Sequence, residues 1–272
     1  FGKGLLVIEG DLQGKLALTM PSFFAMICNR LMEERGATLD DICYPSVKNH
    51  RAGMTNPFSQ YKKEVTVQEI MASPMIVDPI TVLQCCPQSD GAAAVILCSE
   101  AYYRKNNKRR HRAPVRIAGS VISVSGAEDA SFDPLALKAM IDGARKACEM
   151  AGVDAQKDID LVEMHDAFSG EELAAYEMLG LCRPGEGVAL ARSGAVELGG
   201  RCPVNPSGGL LSMGHPLGAS GVRVVNDVAR QLWGEAGANQ VEGAKVGMAQ
   251  MLGGVLTGLE SPVIAGIQIL TK

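Results

Sequence analysis

Residues 205–221 read Asn-Pro-Ser-Gly-Gly-Leu-Leu-Ser-Met-Gly-His-Pro-Leu-Gly-Ala-Ser-Gly, which sets one histidine, His215, among five glycines: Gly208, Gly209, Gly214, Gly218 and Gly221. Glycine permits positive φ and close backbone approach at an entropic cost. A run so rich in it, built around one titratable side chain, predicts a tight loop that brings backbone N–H groups and an imidazole near a ligand. The run is unlike a flexible Gly/Ser linker, because apolar residues and two prolines interrupt it.

The rest of the composition narrows the function. The chain has 272 residues, enough for one large or two medium domains, with 47% hydrophobic and 21% charged residues. Its formal net charge of −4 argues against nucleic acid as the main partner. The basic stretch at residues 104–112 is the exception, and it reads first as a solvated linker and second as a contact for a phosphate-bearing ligand or an acidic partner. Eight cysteines are scattered through apolar context without Cys-x-x-Cys spacing, so no metal is expected and the thiols read as reduced, in an intracellular protein. No uninterrupted apolar run is long enough to span a bilayer.

Periodicity predicts an α/β chain. Residues 20–36 read as a helix ending at Gly36, residues 38–42 as a second capped helix start, and residues 44–66 as polar and turn-rich. Residues 67–72 read as a short helix, 80–84 and 92–98 as buried strands, and 100–105 as the start of a helix. Beyond the basic stretch, residues 115–124 read as a strand and 135–151 as an amphipathic helix. Residues 158–163 read as a short strand entering a loop at His165, and 171–179 as a helix. A helix over 220–233 follows the His215 loop, and strands at 245–249 and 264–270 close the chain. Alternating strands and helices imply a sheet covered by helices.

Four blocks carry a family resemblance. The His215 run resembles the Gly-His-Pro block of the thiolases. Lys48-Asn49-His50 with Asn56-Pro57-Phe58-Ser59-Gln60, Gln84-Cys85-Cys86-Pro87 with Ser89-Asp90-Gly91, and His165-Asp166-Ala167-Phe168-Ser169 running on to Cys182 resemble the thiolase branch associated with sterol carrier protein. The blocks stand in the family's order and cover nearly the whole chain. The resemblance implies a layered α/β/α/β/α fold of two similar halves, with the active site at their junction. Residues 1–112 would be a loop domain and the end of the N-terminal half, and residues 113–272 the C-terminal half. The family's segment with the nucleophilic cysteine would precede Phe1.

The implied activity is acyl transfer on coenzyme A thioesters, with acyl-CoA as substrate. Such chemistry needs a nucleophilic thiolate, a base that moves the proton α to the thioester, and donors for the oxyanion. By resemblance His215 would help activate the nucleophile and contribute to an oxyanion hole, and His165 would hold the thioester oxygen of the second acyl group. Asp166, Gly214, Gly253 and Gly254 would support these loops. Cys86, Pro87, Ser89, Ser207 and Gly208 would lie along the pantetheine of coenzyme A, and Lys48, His50 and Arg51 near its charged end. Cys85 and Cys86 read as small buried groups rather than nucleophiles.

The chain departs from the family twice. Ala167 stands where that branch carries the proton-transferring cysteine, and Met251 stands where other thiolases carry theirs, ahead of Gly253-Gly254. The resemblance still implies a 3-ketoacyl-CoA type acyltransferase, while the two departures favour its alternatives. These are a thiolase-like protein that binds CoA esters without condensing them, or a thiolase-fold aldolase acting on a β-hydroxyacyl-CoA. The resemblance also implies a homo-oligomer. The C-terminus lacks Ser-Lys-Leu, which leaves cytosol, mitochondrion or a bacterial cell as expected compartments.

Overall fold

The computed structural model describes residues 19–106, 113–125, 133–254 and 263–272. Most of the basic stretch, residues 107–112, lies outside them. Helix α1 (Met20–Arg35) starts after Thr19, has a proline in its first turn, and stops at Gly36, whose φ of 64° lets its N–H close on the helix end. Helix α2 (Leu39–Gly53) begins with a reciprocal capping box, in which Thr38 N donates to Asp41 Oδ2 at 2.7 Å and Asp41 N donates to Thr38 Oγ1 at 3.3 Å. The turn-rich reading of residues 44–66 fails over its first part, because α2 continues through Pro45 to Gly53. Tertiary burial overrides the proline: Ser46, Lys48, Asn49 and His50 on this stretch are all buried.

Helix α3 (Val67–Ala72), the short antiparallel pair β1 (Met75–Val77) and β2 (Ile80–Thr81), and helix α4 (Glu100–Asn106) complete this part. Residues 92–98 do not form the buried strand expected of them. They carry no strand partner among the described residues, and Ile96 and Leu97 are 98% and 70% exposed. Apolar content alone cannot make a strand where no neighbouring backbone supplies the ladder.

The main sheet has four strands: β3 (Arg116–Ser125), β4 (Leu161–Glu163), β5 (Val246–Gly254) and β6 (Val263–Thr271), in the order β3-β6-β5-β4. β3 and β5 run antiparallel to β6, and β4 runs parallel to β5, so the sheet is mixed. Helix α5 (Lys138–Ala151) covers β3 and β6 on one face. Helix α9 (Leu217–Trp233) covers β4 and β5 on the other, with Val224, Val228 and Leu232 packed on Leu161, Ala249 and Leu270. Strand periodicity sorts these sides: Met248 and Leu252 of β5 join the α5 side and Ala249 the α9 side. The described residues thus form a helix–sheet–helix sandwich, the layered α/β arrangement expected.

Helix α6 (Ser169–Met178) links the sandwich to α1 and α2. Phe24 of α1 stacks on Phe168 with ring centroids 4.4 Å apart, and α1 side chains share one core cluster with the sheet. Helix α7 (Gly187–Arg192) and the five-residue α8 (Gly209–Met213) fill the space around α2.

The α5–β3 contact leaves no room for a side chain at Gly119, where a Cβ would collide with the Ala147 carbonyl. Gly119→Ala is expected to lower stability by about 1–3 kcal/mol. Gly218→Ala, in the open first turn of α9, should change stability by less than about 1 kcal/mol. Urea unfolding of the two variants checks the contrast.

Candidate functional site

Two loops meet at the end of β4. The first follows Glu163 and carries His165. It is pinned from three sides: Met164 N donates to Asn205 Oδ1 at 2.8 Å, His165 N to Gln250 Oε1 at 3.0 Å, and Ala167 N to Glu171 Oε2 at 3.1 Å. Asn205 holds φ at 51°, an uncommon value for a non-glycine residue, while its side chain bridges Met164 and Glu172. The second loop runs through α8 to His215. It leans on the first through Asp166, whose carboxylate accepts from Leu210 N at 2.6 Å and Leu211 N at 3.3 Å. Gly209 is required here, because any Cβ on it would enter the Asp166 carboxylate.

The meeting brings His165 and His215 edge to face, with ring centroids 5.1 Å apart and planes at 78°. His165 is buried and His215 half-buried. Each ring is anchored through Nδ1, His165 to Glu171 Oε1 at 2.5 Å and His215 to Ser220 Oγ at 2.8 Å. Ser220 donates its own hydroxyl proton to Pro216 O at 3.1 Å. With its proton given to Pro216 O, that hydroxyl oxygen accepts from His215 Nδ1–H, the tautomer in which Nε2 keeps a free lone pair. Burial, then the neighbouring His165 and Arg223, push His215 down to about 3, so its ring is uncharged near neutral pH.

Residues 85–89 bridge the two loops. Cys86 N donates to Ala167 O at 2.8 Å, His215 N donates to Pro87 O at 3.1 Å, and Ser89 packs against Gly214. The expected Cys86, Pro87 and Ser89 are thus beside both histidines. Burial, with nearby Asp166 and Glu171 charge adding to it, raises the Cys86 thiol far above the range in which a thiolate forms. Ala167 is buried, and Met251 packs on the α9 side with its Cγ 3.7 Å from where a Gly221 side chain would begin. Gly253 and Gly254 lie exposed at the end of β5, and no hydrogen bond ties them to either imidazole among the described residues.

Ser207 and Gly208 point elsewhere. Ser207 donates through N and Oγ to Glu163, at 2.9 and 2.6 Å, and Gly208 is packed against Ser212 and α2. Burial and the charge of Asp227 raise Glu163, while Arg223 opposes the rise. A cavity of about 40 Å³ opens beside these groups, lined by Glu163, Ser207, Asp227 and Asn56 among others. It has room for about one water rather than an acyl chain. Lys48 and His50 are also corrected, since both are buried, with Lys48 Nζ 2.9 Å from Glu172 Oε1. Arg51 is exposed and faces Glu197.

Several groups at this site escape sequence reasoning. Glu171 and Glu172 read as first-turn acids of a helix, a common surface pattern. Gln250 and Asn49 have no local signal, because their partners lie 85 and 117 residues away. Ser220 had one, since it stands within the His215 run itself. No group of three or more His, Cys, Asp or Glu among the described residues is placed to hold a metal. No described helix is long and apolar enough to cross a membrane.

The family described as "Thiolase C-terminal domain-like" matches residues 123–265, which span the end of β3, both histidine loops and the whole of β4 and β5. The chain belongs to the thiolase family. Sterol carrier protein 2 of Bos taurus is 41% identical over 239 residues, covering 86% of this chain and 43% of that protein. An acetyl-CoA acetyltransferase of Methanothermobacter thermautotrophicus is 42% identical over 248 residues, covering 90% and 63%. The benzoylsuccinyl-CoA thiolase subunit BbsB of Thauera aromatica is 35% identical, covering 93% and 65%. The chain thus spans from under half to under two thirds of the length of these relatives. A solved structure titled "Ltp2-ChsH2(DUF35) aldolase" superposes with a TM-score of 0.76 over 95% of this chain and 68% of that one, at 23% identity, and shares the fold.

Two outcomes follow for this thiolase-family site. Asp166→Ala strips the buried acceptor from Asn49, Leu210 and Leu211, and is expected to cost about 3–5 kcal/mol in urea unfolding. For His215, a folded value near 3 lies below the unfolded value of 6.5, so its neutral form costs nothing above pH 6.5 and stability is lost as pH falls from 6.5 towards 3. At pH 5 this loss is about 2 kcal/mol. His215→Gln cannot titrate, so its urea midpoint should fall less between pH 7.5 and pH 5 than that of the unsubstituted chain.

Proposed function

We propose that this chain carries the paired-histidine part of a coenzyme A thioester site and acts as a thiolase-type acyltransferase on 3-ketoacyl-CoA substrates. The observation that carries the reading is the edge-to-face contact of His165 and His215, brought together from separate loops. Their surroundings suit carbonyl chemistry. His215 is uncharged and leaves Nε2 free to accept a hydrogen bond from a thiol nucleophile. His165 sits beside it, where the second acyl group of a condensation would lie. Cys86, Pro87 and Ser89, which bind both loops together, would form the wall along the pantetheine. The acyl-accepting thiol would come from outside the described residues, since the nearby Cys86 is held protonated.

Ala167 and Met251 favour a second reading. Neither can move a proton, so a chain that binds CoA esters without condensing them, or that cleaves a β-hydroxyacyl-CoA as an aldolase, also fits. The aldolase needs a base for a hydroxyl and no acyl-accepting thiol.

Calorimetry with acetyl-CoA and coenzyme A, paired with thiolysis of acetoacetyl-CoA and cleavage of a β-hydroxyacyl-CoA, separates these readings. Binding with thiolysis supports the acyltransferase, and cleavage without thiolysis supports the aldolase. Binding with neither turnover supports the chain that only binds CoA esters, and absence of binding removes all three. His215→Ala is expected to lower turnover by about 100-fold or more, with a much smaller effect on stability. Equal loss of both would make His215 structural.

A further inference from the structure

We propose that Glu171 is a positioning residue that turns His165 into the base for proton transfer at the carbon α to the thioester, in place of the thiol that Ala167 lacks. The inference rests on the reading of His165 and His215 as a thioester site.

Glu171 lies in the first turn of α6, where the helix N-terminus favours a negative charge. Its side chain is buried, and each carboxylate oxygen has one partner. Oε1 is 2.5 Å from His165 Nδ1, and Oε2 accepts from Ala167 N at 3.1 Å. The Ala167 N–H shows this carboxyl group acting as an acceptor, and with Glu171 as the acceptor in both contacts Nδ1 carries the proton. That choice of tautomer leaves Nε2 as the nitrogen with a lone pair. The second bond holds the turn at Ala167, so the same carboxylate orients the ring and fixes the backbone beneath it. Gln250 Oε1 takes the His165 N–H and closes off the remaining rotation of the loop.

This arrangement changes the role expected of His165. A neutral ring with Nδ1 protonated cannot donate to a thioester oxygen through Nε2. It can accept a proton there, and the imidazolium then faces the Glu171 carboxylate at ion-pair distance. His215 does not compete for that role, because its Nδ1 is tied to an uncharged hydroxyl rather than to a carboxylate. In the step itself the Cα–H bond of the acyl thioester breaks and an N–H bond forms at His165 Nε2. The electron pair of the broken bond moves into the thioester carbonyl as an enolate. In the reverse direction the imidazolium returns its proton to Cα. No oxidant, reductant or further reactant is needed.

Exchange of the α-protons of butyryl-CoA in D2O, followed by proton NMR, reads this step without any acyl-accepting thiol. The chain is expected to catalyse exchange. Glu171→Gln should slow it by about 100-fold while the calorimetric Kd for butyryl-CoA changes less than about threefold, and Glu171→Asp should recover part of the rate. Binding with no exchange, or exchange at an undiminished rate in Glu171→Gln, overturns the role of Glu171 and leaves the thioester site standing. No binding overturns both. A second measurement does not depend on any variant folding. The chain has four histidines, so long-range proton–nitrogen NMR can assign each ring. His165 is expected as the Nδ1–H tautomer when neutral, with a low-field Nδ1 proton, and finding the Nε2–H tautomer overturns the proposal.

Discussion

Two buried carboxylates, Asp166 and Glu172, hold this structure's functional end together. Neither has any exposed surface. Asn49 of α2 donates to both, at 2.7 Å each, so one amide joins the His165 loop to α6. Glu172 also receives Asn205 Nδ2 and the Tyr176 hydroxyl, and Lys48 Nζ lies 2.9 Å away to balance its charge. Asp166 spends its remaining capacity on the first N–H groups of α8. Burial and the charge of Glu172 push Asp166 upward, and the N–H groups of Leu210 and Leu211 pull it back. Buried carboxylates are tolerable only when hydrogen bonds satisfy them, and here each of the four oxygens has at least one partner.

The consequence is rigidity around the two imidazoles. The His165 loop cannot move without disturbing α2, α6 and the loop that leads to His215. The 5.1 Å spacing of the two rings follows from this network rather than from any direct bond between them. Each ring then receives its own anchor, a carboxylate for His165 and a hydroxyl for His215. Two identical side chains are given different electrostatic surroundings, which is how a pair of titratable groups comes to hold different roles.

Much of the fold was legible in the sequence. The α1 helix, the Thr38 cap, α3, α5, α9 and the strands of the sheet follow from periodicity and capping, which act between residues a few positions apart. The His215 loop was legible because close approach leaves a local trace in glycine. His165 was legible because it stands directly after a strand. Readings failed where distant contacts decide the backbone, and of residues 80–84, read as a strand, only Ile80–Thr81 form one. Residues 44–53 look turn-like, yet are helical because their polar side chains are buried in the Asp166–Glu172 network. Residues 92–98 look like a buried strand, yet carry no strand partner among the described residues.

By itself the sequence determined the main helices and strands of the sandwich, the layered α/β class and the two histidine loops, because each is encoded by neighbours along the chain. Only the tertiary structure decided which groups those histidines face. Asn49 reaches Asp166 across 117 positions, Gln250 reaches His165 across 85, and Glu171 turns inward to His165 from what reads as a solvated helix start. Hydrogen-bond partners of a buried side chain are set by proximity in space, and proximity in space leaves no periodic mark in the order of residues.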